Sequence, residues 1–96
     1  MTADPAAFLE RVELLRAGAG RDLTPLAAAI LLASHEGAAA DSRSFARIFG
    51  VAHALVLREC TAMLGAGLLR EVNRDERNQR LAYAIGAEGV PMVGTL

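Results

Sequence analysis

Between Asp41 and Ile85 the chain reads DSRSFARIFGVAHALVLRECTAMLGAGLLREVNRDERNQRLAYAI, and its apolar residues change spacing partway along. Phe45, Ile48 and Phe49 recur at intervals of three and four, the signature of one helix face. Gly50 follows and permits a sharp reversal. Val56, Cys60, Met63 and Leu64 then form a second helical stripe, which ends near Gly67. Beyond it, LLREV and RLAYAI are strand-type runs, and in the second Leu81, Tyr83 and Ile85 alternate with Arg80, Ala82 and Ala84. The expected order is therefore helix, turn, helix and β-hairpin. Asp41 or Ser42 caps the first helix, because a short oxygen-bearing side chain accepts from an unpaired first-turn N–H. Two short helices with facing stripes cross steeply and leave one edge of the second in solvent. NRDERNQ, without Gly or Pro, is expected to form a long extended hairpin tip.

Two more helices are expected before this stretch. Asp4 and Pro5 supply a cap and a first-turn proline. Phe8, Leu9, Val12 and Leu15 then share a stripe over residues 4 to 17, with Glu10, Arg11, Glu13 and Arg16 on other faces. AGAGRD is a connector. Thr24 and Pro25 open a helix that is apolar nearly all round, so it is the expected central helix, and Gly37 to Ala40 are available for a short strand beside the hairpin. The tail VPMVGTL is too short for another sizeable helix. Ninety-six residues, 53% of them hydrophobic, suit one α+β domain that is mainly α with a small hairpin, spanning residues 1 to 96.

The same residues argue against several functions. Glu10, Arg11, Glu13 and Arg16 break up the first apolar stretch, so no targeting segment is visible. Pro25 to Ala33 falls far short of the ~20 residues that cross a bilayer. A cytoplasmic protein with no membrane contact is the expectation. Two histidines and one cysteine offer no metal-ligand spacing, and neither Gly-x-Gly continues into a nucleotide fingerprint. No cofactor, no metal and no enzymatic activity are expected. Cys60 reads as a small buried hydrophobe, and His35 as a last-turn residue that answers terminal carbonyls and the helix dipole.

Net charge is −1, but it is unevenly distributed. Residues 1 to 42 carry three arginines and six acids, whereas residues 43 to 80 carry seven arginines and four acids. The second segment is thus +3 where the first is −3, as a phosphate-facing half requires. Every basic residue is arginine, which favours bidentate contact with phosphate or guanine.

The ordered run from Phe49 to Gly89 resembles the winged helix-turn-helix domain of the MarR family of bacterial transcription regulators. The family's Leu-Gly-Leu turn falls on Phe49, Gly50 and Val51, and its recognition-helix arginine on Arg58. Its Gly-Leu-Val strand start falls on Gly67, Leu68 and Leu69, its Asp/Arg-rich wing on Asp75, Glu76 and Arg77, and its closing Glu-Gly on Glu88 and Gly89. The resemblance covers roughly residues 23 to 89. It implies a helix-turn-helix over residues 41 to 66, a wing over 68 to 86, and a homodimer that binds double-stranded DNA and regulates transcription. The family's long flanking helices, which form the dimer and shape an effector pocket, are represented here by the short N-terminal helix. Dimerisation is accordingly expected at Phe8, Leu9, Val12 and Leu15, with the apolar tail from Val90 to Leu96.

Carried onto this chain, the family's DNA-contacting positions give an unusual set. The contacting serines and threonines fall on Ala52, Ala54, Leu55 and Leu57, and the usual proline on His53. Only His53 and Arg58 in this set can hydrogen-bond. Leu55 and Leu57 suit either thymine methyls or a protein partner, and both alternatives stand. The second reading is an interaction module with the same fold and a degenerate reading helix. In the wing, Arg74, Arg77 and Arg80 are the candidates for the minor groove or backbone, with Arg77 the best match. Arg43 and Arg47, on the outer face of the first helix of the pair, are placed to meet phosphates.

Overall fold

The computed structural model describes residues 4 to 94 and residue 96. Its elements in chain order are α1 (Pro5–Gly18), α2 (Pro25–His35), α3 (Ser42–Phe49), α4 (His53–Gly65), β1 (Leu69–Asp75), β2 (Arg80–Ile85) and α5 (Val90–Val93). The fold is a small α+β domain in which five helices accompany a two-stranded antiparallel hairpin.

α2 lies at the centre, as its composition requires. Ala27, Ala28, Ile30, Leu31, Leu32 and Ala33 are all buried. Its first turn is closed by the Thr24 hydroxyl, which accepts from the Ala27 amide at 3.0 Å. α1 begins the same way, with the Asp4 carboxylate accepting from the Ala6 and Ala7 amides. It packs on α2 through Val12 and Leu15, and Arg11 clamps Glu36 past the end of α2 through two bonds of 2.6 and 2.9 Å. Phe8 meets Phe49, which stacks on Phe45 with ring centroids 4.4 Å apart. This aromatic row joins α1 to α3.

The α3–α4 turn depends on Gly50, whose φ of 66° is left-handed backbone that a Cβ disfavours. The Val51 amide donates back to the Ala46 carbonyl at 3.1 Å, which closes α3. Val56, Cys60 and Met63 then turn inward from α4. The hairpin pairs Leu69 with Ile85 and Asp75 with Arg80, with a register shift between Glu71 and Asn73. Leu81 and Tyr83 bury the inner face of β2. Gly86 is required sterically, since a Cβ there would lie 2.3 Å from the Gly67 carbonyl oxygen.

Three expectations need correction. Ile48 is 52% exposed, because the α3 face that meets the core is set by Phe45 and Ala46, with Phe49 packed beside them. Gly37 to Ala40 form no strand; contact with the hairpin is a single bridge between Asp41 and Ala82, supported by the Tyr83 amide donating to the Ala40 carbonyl at 3.1 Å. The hairpin tip is shorter than expected, since β1 continues to Asp75 and leaves only residues 76 to 79 for the turn. Gln79 takes a φ of 61° there, the one positive value among described non-glycine residues. The tail, too short for a sizeable helix, forms the four-residue α5, whose Met92 and Val93 are buried.

Candidate nucleic-acid interface

The exposed surfaces of α3 and α4 carry arginines that folding has not neutralised. Residues 42 to 58, SRSFARIFGVAHALVLR, contain three arginines and no acid. Arg43 and Arg47 lie four apart, hence on one face of α3, and both are exposed. Arg58 is exposed on α4. Among the described residues, none of the three has a carboxylate partner within ion-pair distance. Arg43 instead donates through Nε, at 3.0 Å, and through Nη2 to the Asn78 carbonyl of the hairpin tip. Glu59, the one acid of α4, is half-buried and accepts from the Thr24 hydroxyl at 2.9 Å.

The arginines of the hairpin behave differently. Arg74 pairs with Glu71 at 3.0 Å and Arg80 with Asp41 at 3.3 Å. Arg77 lies 3.6 Å from Asp75, but its side chain is 93% exposed, so it reaches furthest into solvent. Arg70, not among the expected contacts, is exposed on β1 without a carboxylate partner among the described residues.

A buried polar network fixes α3, α4 and the hairpin relative to one another. Asp41 caps α3 by accepting from the Ser44 amide at 2.8 Å, and it also accepts from the Ser44 hydroxyl at 2.7 Å. Burial alone would raise its pKa; those Ser44 bonds and the Arg80 guanidinium outweigh burial and hold the carboxyl below its ordinary value. The Ser42 side chain is fully buried, and its oxygen accepts from the Leu81 amide at 2.9 Å. His53 Nε2 lies 2.9 Å from that same oxygen. The Ser42 hydroxyl thus links the Leu81 amide to the His53 ring, and in the neutral ring Nε2 donates or accepts according to the tautomer. Burial, reinforced by the charge of Arg43, lowers the His53 pKa and favours that neutral state.

Only part of the expected reading set is free to act outward. His53 is half-buried and engaged at Nε2. Leu55 is 45% exposed, whereas Leu57 is partly buried and packs against the core, which corrects the expectation that both leucines face water. Ala52 provides no side-chain cap, so first-turn N–H groups of α4 are left for solvent or an external acceptor. On α1, Val12 and Leu15 belong to the chain's own core, and Phe8 packs on it. The large apolar side chains that α1 presents outward are Leu9 and Leu14, so of the expected dimerising set only Leu9 is exposed.

Sequence reasoning missed Ser42 and Ile48 as well as Arg70 and Leu14. Ser42 was visible only as an alternative cap, because its partner Leu81 lies 39 residues away. Cys60 is buried and its thiol is pushed up to about 12 by desolvation, beyond the range of a reactive thiolate. Among the described residues no group of three His, Cys, Asp or Glu side chains is placed to hold a metal, and no helix is long and apolar enough to cross a membrane. No family model, curated protein or solved structure matches the chain.

Proposed function

We propose that the chain is a winged helix-turn-helix transcription regulator of MarR-like type that binds double-stranded DNA. α3 and α4 are the helix-turn-helix, α4 is the reading helix, and the β1–β2 hairpin is the wing. The observation that carries this reading is the acid-free stretch of residues 42 to 58, whose three arginines are exposed and lack carboxylate partners among the described residues. Unpaired guanidinium groups in water repel one another, and a polyanion relieves that repulsion while releasing its counterions. The open N-terminus of α4 adds backbone donors beside them.

Arg58 meets a base edge or phosphate, Arg43 and Arg47 meet the backbone, and Arg77 extends from the wing tip. Leu9 and Leu14 form the centre of a homodimer contact, because one domain makes too few phosphate contacts for tight binding. The test is retention of short duplexes across a salt series by the wild-type chain and by Arg58→Ala. The variant is expected to bind more weakly with a shallower salt slope; equal affinity and slope would reject the assignment.

Exposed Ile48 and Leu55 support a second reading, an interaction module that docks a polypeptide on this same surface. Under that reading Leu55→Asp abolishes partner capture while Arg58→Ala leaves it intact.

A further inference from the structure

Resting on the DNA-binding reading, we propose that α4 recognises thymine through its 5-methyl group, with Leu55 as the specificity-determining contact and Arg58 as the one strong hydrogen-bond donor beside it. The exposed stripe of the helix offers few groups that could read a base. That stripe runs through Ala54, Leu55, Arg58, Thr61 and Ala62, all exposed and spaced at three or four. Ala54, Leu55 and Ala62 have no polar side-chain atoms. The Thr61 hydroxyl donates its proton to the Leu57 carbonyl at 2.9 Å, so it is not a donor to a base. At the entrance to the helix, His53 is half-buried and tied at Nε2 to buried Ser42, so it stands apart from the exposed stripe, and Ala52 has no side-chain donor.

A helix with this surface cannot read adenine by the bidentate amide contact that Asn or Gln makes. In the major groove, the apolar feature that distinguishes one base from another is the thymine methyl, which cytosine and both purines lack. Leu55, 45% exposed in the first turn of α4, has the free apolar surface to cover it. The small side chains at 54 and 62 let the helix backbone lie close to the groove floor. The flanking Arg43, Arg47 and Arg58, with no carboxylate partner among the described residues, give the charge complementarity that holds this apolar stripe against a polyanion.

The experiment selects duplexes from a random pool with the wild-type chain, then resynthesises the winners with deoxyuridine in place of thymidine. Only the methyl group changes. Affinity is expected to fall about fourfold for each contacted methyl, the factor that burial of one such group corresponds to. Leu55→Ala should bind thymidine and deoxyuridine duplexes equally, and Leu55→Gln should shift the selected base from thymine towards adenine. Undiminished binding of the deoxyuridine duplexes by the wild-type chain would overturn the methyl contact while leaving DNA binding intact. Failure to retain any duplex, with the chain shown to be folded, would overturn the DNA-binding reading and this inference with it.

Discussion

The first three arginines of the chain and the three of the α3–α4 pair carry the same charge on exposed or half-exposed surface, yet their surroundings differ. Arg11 has Glu36 at 2.6 Å, Arg16 has Glu13 at 3.0 Å and Arg21 has Glu88 at 3.6 Å. Arg43, Arg47 and Arg58 have no carboxylate partner among the described residues. The first group is matched within the molecule, so its charge is largely cancelled at a distance. The second group projects an uncompensated field from a chain whose net charge is only −1. Net charge therefore says little about whether such a domain attracts a polyanion; local pairing decides it.

The largest expected effect breaks this comparison directly. Reversing both open charges of the helix pair, Arg47→Glu with Arg58→Glu, should lower duplex affinity by about a hundredfold or more and flatten the salt dependence, since each lost contact typically removes ~1–3 kcal/mol. Fluorescence anisotropy against a labelled duplex, at several salt concentrations, measures both quantities. Stability should change little, because both side chains are exposed and neither has a carboxylate partner among the described residues. A matched reversal at Arg11 and Arg16 should leave duplex affinity nearly unchanged; an equal loss there would mean that total charge, not the open surface, governs binding.

Next in size is Ser42→Ala, which leaves every arginine in place and removes the polar joint beneath the helix pair. The Leu81 amide and His53 Nε2 would both lose their partner, and the amide has no route to water in the folded state. A loss of about 1–3 kcal/mol is expected from urea unfolding. Binding measured well below the unfolding midpoint should fall only modestly. If instead stability holds and binding collapses, Ser42 contacts the ligand and the network has been misread.

The helix pair, turn and hairpin were legible because each depends on local features: Asp41 as a cap, Gly50 as a left-handed turn, and Leu81 and Tyr83 alternating with Arg80 and Ala82. Which arginines are open was not legible. Arg80 and Arg58 look alike in sequence, but Asp41 lies 39 residues from Arg80 and is brought beside it only by the hairpin docking on α3. Ile48 failed for a related reason, since spacing at three and four leaves two candidate faces on an eight-residue helix and tertiary packing chose the one with Ala46. On α1 the same ambiguity hid Leu14, while Val12 and Leu15 went to the core. The closed tip at 76 to 79 was missed because Gln79 adopts positive φ without the glycine that would have advertised it.

Acid should separate the two regions more gently. The His53 pKa is depressed in the fold, so in the window below the ordinary histidine value of about 6.5 the unfolded chain binds the proton more readily. The associated stability is fully present above that value and is lost as pH falls through the folded pKa. Urea midpoints measured across this window should decline on acidification in the wild-type chain and decline less in His53→Gln, which cannot take up a proton. Asp41 acts further down: its pKa is also depressed, so its contribution is present above the ordinary carboxylate range and disappears as pH falls through its lowered value. Identical profiles for wild-type and His53→Gln would remove His53 from the account.

The smallest effect tests the boundary between matched and open arginines. Arg77 has a carboxylate neighbour, but Asp75 sits at 3.6 Å and the guanidinium is 93% exposed, a geometry in which solvent screens most of the attraction. It therefore belongs energetically with the open group despite its partner. Arg77→Ala should weaken duplex binding by a few-fold and reduce the salt slope by about one contact. Arg74, held by Glu71 at 3.0 Å and only 31% exposed, should give a smaller change when replaced by alanine. If the two substitutions rank the other way, proximity of an acid is the wrong criterion and the path of the wing over the ligand must be set by Arg74. If neither has any effect, the hairpin does not touch the duplex, and α3 and α4 alone must supply the salt-dependent contacts.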